Sequence, residues 1–361
     1  MKKVFVGMSG GVDSSVAALL LKERGYDVVG VFMRCYNIDG CAEQDAEDAR
    51  RVAGHISVPF YVWDFEEAYK QRVVEYMVEG YRRGITPNPD VMCNREIKFG
   101  LFLEKALASG ADYVATGHYV KIATHGASAS SGADYSLFAA DDTNKDQSYF
   151  LWTLTQKQLA HCLFPIGDYQ KPAVRDIARR AGLPTAEKKD SQGVCFLGQI
   201  SIGDFLKQYI PEKRGALVTT SGEHVGEHFG SEFYTIGQRH INADFKFPKV
   251  GARERQPLYV ASKNAATNIV VLAEGDANEA LYRNDIELAG VSFITTTPPD
   301  DEMAVFARVR YRQPVSRATL SRLDNGTYAL KFEIPQKFVA PGQSVVWYSK
   351  EGEMLGGGVI L

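Results

Sequence analysis

Apolar and polar positions follow two different rhythms along this chain. Over residues 1–120, short apolar runs (Val4–Val6, Val28–Met33, Phe60–Trp63 and Tyr113–Thr116) are separated by longer polar-apolar stretches. The runs are too short for helices and read as buried strands. Val16 to Arg24, Asp45–Ala53 and Glu66–Tyr81 read as the helices between them. Lys22-Glu23-Arg24-Gly25 closes the first helix with basic charge and a glycine stop. Strand–helix alternation predicts an α/β fold, a doubly wound parallel sheet. Ligands in such sheets sit at the carboxyl ends of the strands. The turn after Val6, Met33 and Thr116-Gly117-His118 would all lie there.

Residues 124–134 are small and polar and read as a surface loop. Helical patterning resumes over Ser148–Leu159 and Pro172–Ala181. From residue 210 the rhythm becomes short β-rich runs between Gly, Pro and Asn turns: Leu217–Thr220, Glu232–Ile236, Leu258–Ala261 and Ile269–Leu272. The last stretch continues with Val305–Tyr311, Ala318–Leu323, Tyr328–Phe332, Ser344–Tyr348 and Gly356–Ile360, which fits a small antiparallel barrel. The expected division is a catalytic α/β domain at 1–208, a small β-rich domain at 209–275 entered through Pro211, and a C-terminal barrel at 276–361.

Composition narrows the function classes. A chain of 361 residues with 45% hydrophobic content supports two or three ordinary cores. No apolar run is long enough to span a bilayer, and Met1-Lys2-Lys3 leads straight into a strand rather than a signal peptide. The expectation is a cytoplasmic protein without a membrane role. Five cysteines, an odd number, argue against a disulfide framework. A net charge of −3 excludes a global basic field, so nucleic acid would have to be met by local patches.

The richest segment is Gly-Met-Ser-Gly-Gly-Val-Asp-Ser-Ser at 7–15. A glycine-rich turn between a strand and a helix aims backbone N–H groups and the helix N-terminus at one anion. Gly10 and Gly11 let backbone approach a phosphate, and Ser9, Ser14 and Ser15 add hydroxyl donors. The spacing is neither that of the Walker loop nor Gly-x-Gly-x-x-Gly. It resembles the pyrophosphate loop of ATP pyrophosphatases, which adenylate a substrate and release pyrophosphate.

Other segments carry candidate chemistry. In Pro87-Asn88-Pro89-Asp90-Val91-Met92-Cys93-Asn94-Arg95-Glu96-Ile97-Lys98, Asp90 and Cys93 would reach one site if a helical turn begins there. Asn94, Arg95 and Lys98 are donors and cations suited to a thiolate. Cys195 sits in the polar loop Lys188–Gly198, where Lys188 and Lys189 would lower a thiol pKa. Two loop cysteines suggest a redox or sulfur-transfer pair, with Cys35 and Cys41 as possible third partners. No Cys-x-x-Cys occurs, His55, His161 and His240 are scattered, and no metal site is read. A three-cysteine iron–sulfur site lacks a spacing signature. Lys145-Asp146-Gln147 before Ser148 reads either as a helix cap or as a phosphate and sugar contact. In a strand, Arg308, Arg310 and Arg312 would share one face as a phosphate track, with Tyr311 stacking. A solvated barrel face is the equal alternative. Trp63, Phe65, Tyr69 and Cys162 read as core.

Taken in order, the motifs resemble the tRNA-specific 2-thiouridylases over nearly the whole chain. They are the loop at 7–15, Gly-x-Thr-Pro-Asn-Pro-Asp-x-x-Cys-Asn-x-x-Ile-Lys-Phe at 84–99, Ala-Thr-Gly-His-Tyr at 115–119, Lys-Asp-Gln-Ser-Tyr-Phe-Leu at 145–151, Lys-Asp-Ser-x-Gly-x-Cys-Phe at 189–196, Tyr-Thr-Ile-Gly-Gln-Arg at 234–239 and Pro-Gly-Gln-Ser at 341–344. The resemblance implies ATP with Mg²⁺ as cofactors. It puts Gly7, Met8, Ser9, Gly10, Gly11, Val12, Asp13 and Ser14 on the phosphates, with Met33 and Gly117 near the nucleotide. It implies that Asn88, Pro89 and Asp90 meet the target base, with Asp90 an acid/base candidate. Cys195 would carry sulfur as a persulfide and Cys93 would close a Cys93–Cys195 disulfide. His118, Lys145, Asp146, Gln147, Arg310, Tyr311 and Gln343 would touch tRNA, and the implied partners are lysine, glutamate and glutamine tRNAs and a persulfide donor protein. Two stretches depart from the resemblance. Arg34–Cys41 is shorter than it implies, and His240–Lys246 replaces a glycine-rich continuation. A small-molecule ligase of the same superfamily would leave both cysteines and the barrel without a role. A non-catalytic tRNA-binding or sulfur-carrier module would leave the Ser9–Ser14 loop without one.

Overall fold

The computed structural model describes residues 1–36, 40–128, 132–190, 200–246, 256–294 and 302–361. Its first part is a five-stranded, all-parallel sheet in the order Phe60–Asp64, Asp27–Arg34, Lys3–Gly7, Tyr113–Thr116, Cys162–Leu163. Alternation along the strands sends Phe5, Val29 and Val31 to one face and Val4, Val6, Val28 and Phe32 to the other. The first face is covered by the helices between residues 66 and 108, through Val73, Met77, Ile97 and Phe102. Helices Val12–Glu23, Cys41–His55 and Lys171–Arg180 cover the second, through Val16, Leu20, Val52 and Val174. Both faces are dry, so the strands carry unbroken apolar runs. The chain winds outward from Lys3–Gly7 and then reverses to Tyr113–Thr116. This topological switch opens a crevice where the 7–15 loop and Gly117 meet.

The second part is a five-stranded sheet of the strands between residues 215 and 274 around Leu217, Val260, Val270 and Leu272. The third is the expected barrel. Tyr282–Phe293 pairs with both Tyr328–Lys337 and Glu353–Ile360, which closes six strands around Trp347, Leu320, Leu330 and Phe332.

The structure corrects four readings. Residues 124–128 and 132–134 lie in two paired strands, Val120–Ser128 and Gly132–Ala139, which add to barrel strand Glu353–Ile360 through Phe138 and Leu137. The barrel edge supplies a pairing partner that the small polar composition of the segment does not announce. Ser148–Leu159 is not one helix. A short turn Ser148–Phe150 and a helix Gln156–Leu159, started by a Thr155–Gln158 capping box, flank a bend. Trp152 donates its indole N–H to Ser344 Oγ at 3.1 Å in that bend, so barrel docking overrides local propensity. Glu232–Ile236 is not a strand, since Ser231–Phe233 forms a tight turn whose Ser231 N–H is held by Asn268. Strand Glu302–Arg308 stops before Arg310, and Arg312 turns the chain with φ 64°. The three arginines therefore do not line one strand face.

Candidate active site

Strand Lys3–Gly7 delivers the loop, and the helix Val12–Glu23 begins at Gly11 with no side chain capping it. The first N–H groups of that helix are thus left for a ligand. Gly10 adopts φ +74°, and a Cβ there would lie 2.3 Å from Asp45 O. Ser9 and Ser14 hydroxyls lie 3.2 Å apart, and Ser9 N–H donates to Ser14 Oγ at 3.0 Å. Ser15 is turned inward, donating to Gly11 O at 2.7 Å and accepting from Thr185. From the neighbouring strand, Gly117 presses on the helix start, where a Cβ would sit 2.6 Å from Ser14 N. Met33 stands beside Gly7, with its Cε 2.9 Å from where a Cβ would be. The loop, Met33 and Gly117 are brought together as a cradle that only glycine at 10 and 117 leaves open.

A charge network underlies the cradle. Lys171 Nζ reaches Asp13 at 2.7 and 2.8 Å and Asp190 at 2.8 Å. Asp190 also takes Lys145 at 2.6 Å and Arg175 at 2.7 Å, and Tyr119 OH donates to Asp13 at 2.8 Å. Partial burial opposes the charge of Asp190, but hydrogen bonds from Lys145 and Lys171 hold its carboxyl down at about 2. Burial, reinforced by the Asp13 carboxylate, pushes the Tyr119 hydroxyl up. Lys171 and Arg175 carry no sequence motif. Their only signal is their place on a helix that folds back against the loop.

A pocket of about 450 Å³ opens where the three parts of the chain meet. The turn Thr86–Asp90, Tyr149, Phe150, Gln238, Arg310 and Tyr311 contribute walls. Asn88 caps a helix at Pro89–Met92, its Oδ1 accepting Val91 N–H at 3.2 Å, with Pro89 in the first turn. That helix runs directly into a wider coil, Cys93–Leu101, so Asp90 and Cys93 stand one turn apart as the spacing required. Asp90 lines the pocket, while Cys93 is only 3% exposed behind it.

Comparison with known proteins agrees with this geometry. Residues 2–199 match the tRNA methyl transferase HUP domain, 203–274 the tRNA methyl transferase PRC-barrel domain, and 283–360 the aminomethyltransferase beta-barrel domain. The chain is 46% identical to the tRNA-specific 2-thiouridylase MnmA of Streptococcus thermophilus, covering 99% of this chain and 95% of that protein. It is 44% identical to the Geobacillus kaustophilus tRNA-specific 2-thiouridylase MnmA 2, over 99% and 94%. The chain belongs to the tRNA-specific 2-thiouridylase family. A solved 4-thiouridine synthetase–RNA complex with bound ATP is 18% identical over 58% of this chain and 50% of that one, and its TM-score of 0.35 is too low to weigh.

Within this thiouridylase fold, several expected site residues are engaged differently from the sequence reading. His118 is 6% exposed, hydrogen-bonded to Thr116 at 2.7 Å and packed between Phe99 and Phe164, so its ring offers no surface to RNA. Burial, with the Lys98 charge, holds it neutral. Asp146 is 4% exposed and ion-paired with Arg308, which is itself 8% exposed, so neither reaches a phosphate. Lys145 is taken by Asp190, and Gln147 Oε1 accepts Tyr119 N–H at 3.0 Å. Gln343 Nε2 donates to Thr86 O at 2.9 Å and Pro87 O at 3.1 Å, holding the pocket turn to the barrel. Lys188 pairs with Asp45 and Asp48. The Cys93 thiol is pushed up, not down. Burial dominates and Asp90 adds to it, against Lys98 and a Tyr69 hydrogen bond. Cys195 lies outside the described residues. Cys162 is buried, with its thiol on Gln158 O, as the sequence suggested.

Proposed function

We propose that this chain is an ATP-dependent tRNA-uridine 2-sulfurtransferase acting on the wobble uridine in the cytoplasm. The observation that carries this reading is the uncapped helix at Gly11, with Gly10 and Gly117 cleared around it, on the same chain as Asp90, which lines a pocket shared by all three parts and stands one helical turn from the buried Cys93. The division 1–208, 209–275 and 276–361 then separates catalysis from two tRNA-facing parts. The pocket volume lies within the range of about 300–1,000 Å³ typical of small-ligand sites, and a base acted on chemically must leave its stack to enter one.

The loop 7–14 binds the ATP phosphates, with N–H groups at the helix start stabilising the departing pyrophosphate. Adenylation of the uridine 2-oxygen turns a poor leaving group into AMP. Asn88, Pro89 and Asp90 hold the base, and Asp90 acts as its acid/base group. A deprotonated Cys195 persulfide attacks C2 and displaces AMP. Cys93, its thiol proton passing to the Asp90 carboxylate one helical turn away, then attacks the Cys195 sulfur. The new sulfur stays on C2 with the electron pair of the broken S–S bond, and a Cys93–Cys195 disulfide remains for an external thiol to reduce. A persulfide protein supplies the sulfur, and lysine, glutamate and glutamine tRNAs are the substrates. Arg310 and Tyr311, which line the pocket, are the candidates for RNA contact, and Lys145 and Gln147 would join them by exchanging Asp190 and the Tyr119 N–H for RNA. Among the described residues no three His, Cys, Asp or Glu side chains stand together as a metal site. Mg²⁺ is expected to enter with the ATP phosphates.

The test is thiolation with ATP, Mg²⁺, unmodified glutamate tRNA and a persulfide source, read as 2-thiouridine by mass spectrometry after digestion. Product that vanishes in Cys93→Ser and Cys195→Ser supports the reading. Pyrophosphate release without product confines the failure to sulfur delivery. If neither appears, the substrate is wrong and a small-molecule ligase takes precedence.

A further inference from the structure

Two walls of the pocket begin just beyond one buried ion pair. On the N-terminal side, Asp146 is followed by Tyr149 and Phe150. On the barrel side, Arg308 ends its strand and is followed by Arg310 and Tyr311. The Arg308 guanidinium bonds Asp146, Ser148 Oγ at 3.2 Å and Tyr348 OH at 2.6 Å, and Ser148 and Tyr348 join at 2.9 Å. Asp146 in turn accepts the N–H of Ala140 at 3.2 Å and of Ser148 at 3.1 Å. Beyond the pair the walls touch directly, the Tyr311 ring lying 4.5 Å from Phe150 and 6.1 Å from Tyr149.

We propose that the Arg308–Asp146 pair is a positioning device for the pocket, fixing the barrel wall against the N-terminal wall at the spacing the flipped base needs. This rests on the thiouridylase reading above. Stability alone does not explain the pair. Buried ion pairs gain little over apolar isosteres because desolvating two charges offsets their attraction. This one even leaves the buried Arg308 Nε without a partner. What the pair supplies is direction. Arg308 Nη2 alone gathers the Asp146 carboxylate and the Ser148 and Tyr348 hydroxyls at one point, whereas apolar side chains would allow the walls to slide.

The test compares Arg308→Met, Asp146→Asn and the double variant. Asn keeps the acceptor used by Ala140 and Ser148, and the double variant buries no lone charge. Three readouts are taken: melting temperature, kcat and KM for thiolation, and amide hydrogen exchange over 309–313. The double variant is expected to melt and bind ATP like the wild type. Its kcat should fall about 10–100-fold, the scale of an ångström misplacement at a reacting centre, and exchange over 309–313 should quicken. Arg308→Lys should recover part of kcat. Wild-type exchange over 309–313 in the double variant overturns the proposal whether or not the enzyme thiolates tRNA. So does an activity that merely follows melting temperature across the set. An inactive wild type with the expected exchange pattern would instead count against the thiouridylase reading and leave the positioning role standing.

Discussion

At the residue scale, single atoms decide whether the cradle exists. Gly10→Ala must add a Cβ on the Asp45 carbonyl in a left-handed backbone, and Gly117→Ala must push the start of the first helix. Each should cost about 1–3 kcal/mol and abolish tRNA-stimulated pyrophosphate release, which a coupled phosphate assay would read. Lys263 shows burial acting on charge. Its Nζ has no hydrogen-bond partner and lies 5.8 Å from the Tyr81 ring, and burial lowers its pKa to about 8. The unfolded chain holds that proton up to its ordinary value of 10.5. Between these pH values the unfolded state binds more protons, so stability rises as pH rises through that window. Urea midpoints at pH 7 and 10 should show this rise, and Lys263→Met should flatten it while stabilising the protein at pH 7. A midpoint that responds equally in both proteins would refute the assignment.

At the element scale, the helix Lys171–Arg180 matters less for its apolar face than for what its first residue holds. Lys171→Met leaves Asp13 without a cation beside Asp190, which keeps Lys145 and Arg175. The loss should be about 2–3 kcal/mol, below the figure for a wholly buried pair because both carboxylates keep some solvent, with weaker ATP binding by calorimetry. Asp190 also sets an acid limit. Its carboxyl sits at about 2 against an ordinary 3.8, so its stabilisation is complete above 3.8 and disappears as pH falls through about 2. Asp190→Asn should lack that acid-side loss in a denaturation series. The strands of the parallel sheet were legible because burial on both faces leaves an apolar signature. The paired strands Val120–Ser128 and Gly132–Ala139 and the bend after Phe150 were not, because their conformations are set by a barrel strand and by Ser344, both about two hundred residues away in sequence.

At the scale of the whole molecule, the pocket is a product of docking. The turn Thr86–Asp90 is held to the barrel by Thr86 N–H on Pro341 O at 2.8 Å and by the Gln343 amide on Thr86 and Pro87. Gln343→Ala should leave ATP affinity unchanged while lowering thiolation about thirtyfold, the scale of losing two side-chain hydrogen bonds to backbone carbonyls at about 1 kcal/mol each. Loss of ATP affinity together with thiolation would instead point to general disruption of the N-terminal part.

The sequence by itself determined the strands of the parallel sheet and of the barrel, the glycine-rich turn at the start of the first helix and the Asp90–Cys93 spacing, because each rests on neighbours within a few positions. A strand's alternation, a glycine beside a helix start and a one-turn offset are local properties. Only the tertiary structure decided that Arg308 is buried on Asp146 and that His118 is sealed between Phe99 and Phe164. It also decided that Lys171 serves Asp13, and that the Cys93 thiol is raised despite nearby cations. Charge and exposure belong to the surroundings of a side chain, and those are assembled by packing between parts of the chain that local pattern cannot relate.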